Sequence, residues 1–583
     1  MSTPFFAFVA AVIGSGTVIE VPAVPGALND AVDAAALQHQ AQPATTTTLK
    51  LASGRHQLSR PIRLTPAHSG LRFEGAPDPL APSTVSGGVV IDPASWTTHA
   101  KAHCVGCGWI MRAPLPAGTT YSRHMYVGNV RANWTMALFP IQGATTTATG
   151  YTVPLATASA LNWTHNKGAK VEMVYRGTRA SGAQWTESRT PATGFDVGSG
   201  AITMAAAGFK AGLNKPYDQH LNLPEYYQNA FELLGDAAEG KPGDWYLDVD
   251  ADAVVDGAQA TAGASAGAVY FVTLDSSVLP PSPAPPAVGA CAANHGSSVP
   301  CCGQSGNAVP LPYQCPAAFP TCEGYVYNSH YGHCAAPAPP PPPGPPKPPP
   351  PIHAVLPQLE QLVHGTAGTK DVAWSDVVFA EATWLQPSSS FGFVELQAGC
   401  TCRETCTADD STWVPTTANI LLEGVHNATF DRCTFTRLGA CGVSFEGGSQ
   451  NNSITRSTFS DISGSAVSIG RVDTYNLTGS PSLHDAGNTL ADSVVQSAGQ
   501  EFHGAPGVAV FYSRGTRIIH NEIKDLPYTG VSIGWGWGRT MEALWPVRQL
   551  CHTHPSCREP ARGHWWMASS PLLLGWNEAI HRF

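Results

Sequence analysis

The stretch NATFDRCTFTRLGACGVSF (427–445) is followed by NSITRSTFSDISGSAVSI (452–469), and the two superimpose at a fixed offset, 454 − 430 = 24. Phe430 meets Ile454, Phe435 meets Phe459, Leu438 meets Ile462, Val443 meets Val467 and Phe445 meets Ile469. A third copy, TRIIHNEIKDLPYTGVSI (516–533), puts Ile518, Ile523, Leu526, Val531 and Ile533 at the same places. A looser copy between them carries Leu490, Val495, Ala498, Val508 and Val510, lengthened by a loop around Glu501 to Pro506. Short β-branched runs that return to one template, with Gly, Asn, Asp and Ser between them, are the pattern of a solenoid of stacked strands. Alternate residues of each strand point inward and equivalent positions lie coil upon coil, so inward positions are apolar. The expected fold is therefore all-β, a right-handed parallel β-helix. An antiparallel sandwich is the competing architecture, but it does not require successive segments to keep one apolar template.

Working outward from these coils, residues 50–95 alternate short apolar runs (Leu51, Leu58, Ile62, Leu64, Leu71, Phe73) with Gly and Pro, which is strand-and-turn chemistry. Segment 121–275 continues in runs such as VEMVYRG and GDWYLD. Residues 280–334 hold Cys291, Cys301, Cys302, Cys315, Cys322 and Cys334, a density that reads as a disulfide framework. The proline run at 335–351 reads as a stiff polyproline spacer. The expected organisation is an N-terminal segment (1–49), a signal core or first strand around Phe5 to Ile13. It continues with the first part of the β-helix and a β-rich insertion (50–279), a small Cys-rich module (280–334), its linker (335–351) and the main coils (352–538). Residues 539–583 follow no coil template and are expected to be a truncated or misread end, a capping segment being the alternative.

Only 13% of the 583 residues are charged and the formal net charge is −10. No Lys/Arg cluster is present to release counterions from phosphates, which argues against nucleic acid as a partner. No run is long and apolar enough for a membrane-spanning helix. The fifteen cysteines and the N-x-S/T sequons at Asn133, Asn162, Asn427, Asn451 and Asn476 favour a secreted, cell-wall or extracellular-matrix protein. Disulfides are the expected use of Cys104 with Cys107 and of the cluster Cys400, Cys402 and Cys406. Cys551, His552, His554 and Cys557 have zinc-like spacing, but no second pair completes a finger, so no metal and no cofactor are expected.

The chain resembles right-handed β-helix proteins of glycoside hydrolase family 141, within the pectin-lyase-like superfamily. The resemblance runs through RHQLSRPIRLTPAHSGLRFEG (55–75), VSGG (85–88) and RHMYVGNVRANWTMALFP (123–140). It continues in QNAFELLGDAAEGKPGDWYLD (228–248) with VYFVTL (269–274), VLPQLEQLVHGT (355–366) and HNEIKDLPYTGVSIGWGWG (520–538). The Cys-rich module and its proline stalk are additions to that pattern. The resemblance implies a polysaccharide or glycan partner and hydrolysis of fucoside or xylan type by paired carboxylates. It also implies an acid/base role for Asp525, in the H-N-x-I-x-D motif. The family's second carboxylate lies in an Asp-Gly-Gly turn that this chain lacks, so the resemblance implies that half the pair is missing and that the chain as written is inactive.

The register itself nominates a pair. Arg437, Asp461, Ser497 and Asp525 share one position, so Asp461 and Asp525 lie two coils apart, about 10 Å at the backbone. Two carboxylates over one groove suit glycoside hydrolysis, one to protonate the leaving oxygen and one to activate water or attack the sugar. The structural alternative is that an Asp in such a turn bonds the local backbone. His520, Tyr528, Trp535 and Trp537 are candidate sugar contacts, with Glu501 and His503 on the lengthened loop as a groove wall. Buried core is the alternative for the two tryptophans, and a backbone-satisfying ladder is expected of Asn521. Two further functions compete with hydrolysis: a non-catalytic wall or matrix protein that binds glycan, and a polysaccharide lyase, for which the coils carry no calcium-type Asp cluster.

Overall fold

The computed structural model describes residues 10–13, 16–42, 46–176, 186–215, 221, 223–249, 267–275, 321–323, 333–335, 351–402, 406, 412–472, 483–535 and 581–582. The chain forms two units, one of residues 1–274 with 352–583 and one of residues 275–351. In the second unit, Thr321–Glu323 and His333–Ala335 pair antiparallel and set Cys322 opposite Cys334. Cys291, Cys301, Cys302 and Cys315 lie outside the described residues.

The first unit is all-β in class, with three α-helices among the described residues. Three sheets wrap one core, and each circuit of the chain adds one strand to each. Sheet I contains Thr429–Asp431, Ser453–Thr455, Thr489–Ala491 and Arg517–Ile519, paired parallel. Sheet II contains Val377–Ala382, Thr434–Leu438, Thr458–Ile462, Val494–Gln496 and Glu522–Lys524, also parallel. Sheet III contains Ala418–Glu423, Cys441–Glu446, Val467–Ile469, Val508–Val510 and Val531–Ile533. The 24-residue alignment is the pairing register: Phe430 faces Ile454, Phe435 faces Phe459 and Leu438 faces Ile462. Inside, the rings of Phe379, Phe435 and Phe459 stack in file, with centroids 5.2 and 4.5 Å apart and planes within 9°.

Each circuit turns at three corners, and each corner is made by a residue in the left-handed backbone region. Between sheets III and I these are Asp371, Asn427 and Asn451; between I and II they are Asp376, Arg432, Arg456, Asp492 and His520. Between II and III they are Glu381, Arg437, Asp461, Ser497 and Asp525, with φ from 50 to 61°. Asn and Asp tolerate this conformation because a short polar side chain can bond locally. Backbone groups inside the corners are satisfied by stacked side chains. Asn452 Oδ1 accepts from the Ala428 amide at 2.8 Å, and Ser457, Ser493 and Asn521 form a second such file. Asn521 is thus the ladder residue that its place in the turn suggests.

Of the apolar stretch Phe5 to Ile13, Ala10–Ile13 forms an edge strand antiparallel to Gly16–Val21, which begins sheet I. The helix Ala27–Ala41 buries Ala27, Leu28, Ala31, Val32 and Ala35 in the same core as Ile19 and Leu49 and so covers that end. After Ser83–Ser86 the chain leaves the coil along Gly88–Ile91 and returns antiparallel to it along Ala354–Pro357. Between them lie a five-stranded and a seven-stranded sheet, both largely antiparallel. This insertion packs beside the corner between sheets II and III. His581–Arg582 pair antiparallel with Glu522–Lys524, and the rest of 539–583 lies outside the described residues. No helix among the described residues is long and apolar enough to cross a membrane.

Candidate functional site

The corner between sheets II and III gathers most of the buried charge among the described residues. Three segments meet there: the corner line itself, the lengthened loop after Ala498, and the insertion through its segment 121–134 and its strand Glu187–Asp196. The loop seats closely because it carries Gly504, where a Cβ would lie 2.2 Å from Glu395 Oε2. That backbone approach brings Glu501 and His503 under the insertion.

Glu501 is the hub. Arg123 pairs with one of its oxygens and His124 Nε2 lies 2.8 Å from the other. Arg189 Nη2 donates to the Glu501 carbonyl at 2.6 Å. Arg123 also pairs with Glu172, and Arg189 with Glu187 at 2.8 Å. His503 Nδ1 lies 2.7 Å from Glu187 Oε2, where Arg176 also pairs. On the other side, Arg131 Nε donates to Asp461 Oδ1 at 2.6 Å and its Nη1 to Ser463 Oγ at 2.9 Å. Ser463 Oγ lies 3.3 Å from His124 Nε2, so an unbroken polar chain links Asp461 to Glu501.

Burial and charge compete at these groups. Burial alone pushes the Glu501 carboxyl up, but Arg123, His124 and Arg189 together outweigh it and hold the group well below the usual carboxylate range. Glu187 is likewise raised by burial and lowered more by Arg189, His503 and Arg176, to about 2. Burial drives His124 down to about 4 against the pull of Glu501, which keeps its imidazole neutral at neutral pH. Asp485, at a different corner, is the opposite case: burial raises its carboxyl to about 8 although the Ser449 and Gly448 amides donate to it. A carboxyl whose folded pKa lies above its unfolded value makes the folded state bind the extra proton between the two. Stability from Asp485 is therefore full below about pH 4 and declines as pH rises to about 8. Asp485→Asn keeps an oxygen for both amides and removes the titration. Urea unfolding at pH 4 to 8 is expected to show the variant gaining on the parent as pH rises; a constant difference would contradict this.

Asp461 is 26% exposed and Glu501 14%, and both face this corner. Asp525 is exposed on the same line, two strands from Asp461, and makes no hydrogen bond or ion pair with a described residue. Tyr528 is half-buried nearby, its hydroxyl accepting from Gln397 Nε2 at 3.2 Å. The structure does not bring His520 to this group: it stands at the corner between sheets I and II, 85% exposed, 2.6 Å from Asp492. Trp535 is buried at 6% exposure with its ring edge-on to Phe511, so its faces meet core rather than groove. Trp537 lies outside the described residues, as do Cys551, His552, His554 and Cys557. Cys104 is joined to Cys107 and Cys402 to Cys406, while Cys400 is a buried free thiol. Among the described residues no group of three or more His, Cys, Asp or Glu is placed to hold a metal ion.

No family model matches the chain, and no curated protein matches it in sequence. Among solved structures it is similar to one described as a glycoside hydrolase, with a TM-score of 0.56 over 88% of this chain and 76% of that one, at 17% identity. At that identity the likeness is one of fold.

Arg123, His124, Arg131, Glu187 and Arg189 are absent from the residues that the sequence nominates. The signal for three of them is the dense polar run RHMYVGNVR (123–131) in a chain otherwise poor in charge. Its partners on the coil corner, Asp461 and Glu501, lie 330 to 378 residues away, so no local pattern connects them.

Proposed function

We propose that this chain is an extracellular carbohydrate-active protein of the right-handed parallel β-helix type, hydrolysing a glycosidic bond at the corner between sheets II and III. A right-handed winding follows from the handedness that parallel strand connections adopt almost without exception. The observation that carries the functional reading is the corner line: Asp461 and Asp525 share it two strands apart, with the Glu501 loop between them. Two strand spacings place the backbones about 10 Å apart. Side chains leaning together come within the roughly 6.5–9.5 Å that leaves room for a water on the far side of the sugar. In this reading Asp525, exposed and unpaired among the described residues, protonates the leaving oxygen. Asp461, oriented by Arg131, activates the water. The fold shared with a protein described as a glycoside hydrolase supports the reading, and the two disulfides among the described residues support an oxidising compartment. Fucosides or xylan-like chains are the glycans we propose to test first, through the resemblance to family 141.

The test is release of reducing ends from a defined glycan panel. Asp525→Asn is expected to lower kcat by roughly a hundredfold or more, with binding retained. Unchanged turnover would overturn the assignment. A second reading, a wall or matrix protein that binds glycan without turnover, draws on the ion pairs that tie Glu501, Glu187 and Asp461 to the insertion. Binding that survives Asp525→Asn, with no reducing ends from either protein, selects it.

A further inference from the structure

One coil before Asp461, the same corner carries a surplus of positive charge that no described residue balances. Glu381 is fully buried, and two guanidinium groups converge on it. Arg55 pairs with it through both Nη atoms and Arg437 Nε donates to Oε1 at 3.3 Å, while Ser86 Oγ donates to Oε2 at 2.6 Å. Two cations on one carboxylate leave a net charge of +1. The cations are the accessible partners: Arg55 is 28% and Arg437 15% exposed, against 0% for Glu381. Arg131 beside them is engaged through all three nitrogens, bonding Asp461, Ser463 and the Leu438 and Asp461 carbonyls. Arg437 is not: of its five N–H donors, only Nε bonds a described residue.

A second observation points to the same spot from the insertion side. Tyr126 is 1% exposed and its hydroxyl is buried without a hydrogen bond to any described residue. The charges acting on that hydroxyl are those of Arg131, Asp461, Arg437 and Glu381, and Arg131 lies over its ring at 5.4 Å. A buried hydroxyl without a partner is costly, so its persistence among surplus N–H donors needs an acceptor to explain it. An anion supplies that acceptor: a carboxylate or sulfate oxygen takes the paired Nη donors of Arg437 in a fork and the Tyr126 O–H from the other side.

We propose that Tyr126, Arg437 and Arg55 form a subsite for an anionic substituent, a uronate carboxylate or a sulfate ester, on the sugar next to the one at Asp461. The subsite deepens the glycan reading and rests on it. Arg437 lies one strand spacing from Asp461 along the corner, about 4.8 Å, comparable with one pyranose unit. The test is calorimetric binding of a uronic acid trisaccharide, the same trisaccharide with its carboxyls reduced to alcohols, and the sulfate ester of the reduced form. The parent protein is expected to bind one of the two anionic forms at least tenfold more tightly than the reduced form, and the form preferred identifies the group. Arg437→Gln is expected to erase that preference and Tyr126→Phe to weaken it, the loss falling mainly on the anionic forms. Tyr126→Phe removes an unpaired hydroxyl and is expected to unfold no earlier than the parent, which separates lost recognition from lost structure. Equal binding of all three forms, or a preference that survives both substitutions, would overturn the subsite alone. Binding of none of them would overturn the subsite, and the glycan reading falls only if the fucoside and xylan panel also gives neither binding nor reducing ends.

Discussion

Arg123→Met is expected to destabilise the folded chain by about 3–5 kcal/mol, the usual cost of removing one partner from a buried ion pair. Arg123 is fully buried, as is its partner Glu172, and its other partner Glu501 is 14% exposed. The substitution keeps the packing volume but strands two carboxylates. Glu501 keeps His124 and Arg189, whereas Glu172 keeps, among the described residues, only the hydroxyl of Ser388. Because these contacts join the insertion to the coil corner, the loss is expected first as loosening of the insertion. Urea unfolding read by tryptophan fluorescence measures it, and Trp134, over which the Arg123 guanidinium lies at 4.6 Å, is a local reporter. A loss below about 1 kcal/mol, the range of exposed pairs, would mean that the network is solvated and that the insertion is not held by it.

Phe435→Ala is expected to cost a similar 3–5 kcal/mol, from lost transfer energy plus the cavity left behind. Phe435 is 0% exposed and stacked between Phe379 and Phe459, with Phe430 edge-on at 5.8 Å. Rigid neighbours in three coils cannot collapse into the gap, which places the cost high in its range. Phe435→Leu keeps much of the volume and is expected to cost less. If the alanine variant unfolds at the same urea concentration as the parent, the ring is not in a shared interior column.

These two cases show what the sequence carried and what it did not. The stack at Phe435 is legible because interior positions of successive coils face one environment, so the apolar template recurs, 24 residues on from Phe435 to Phe459. The coil before it was not legible in the same way. Trp374 pairs with Phe430 across 430 − 374 = 56 residues, because Thr383 to Thr417 make an excursion that breaks the period. The line of Asp461 and Asp525 was legible for the same reason as the core, since left-handed corner positions repeat with the strands. The network around Glu501 was not. The loop that carries it is visible as a lengthened coil, but its partners come from an insertion whose contacts depend on the assembled fold. His520 and Trp535 sit within a few residues of Asp525 and Tyr528 yet face a different corner or the core, because proximity in sequence along a coil does not mean a shared face.

The most direct measurement of the central claim is the structure of this protein in crystals soaked with an oligosaccharide that it binds. The account predicts density along the corner between sheets II and III, one ring bracketed by Asp461 and Asp525 and an anionic substituent within hydrogen-bonding distance of Arg437. Sugar bound instead on the outer face of sheet I, or on the insertion away from the Glu501 loop, would contradict it.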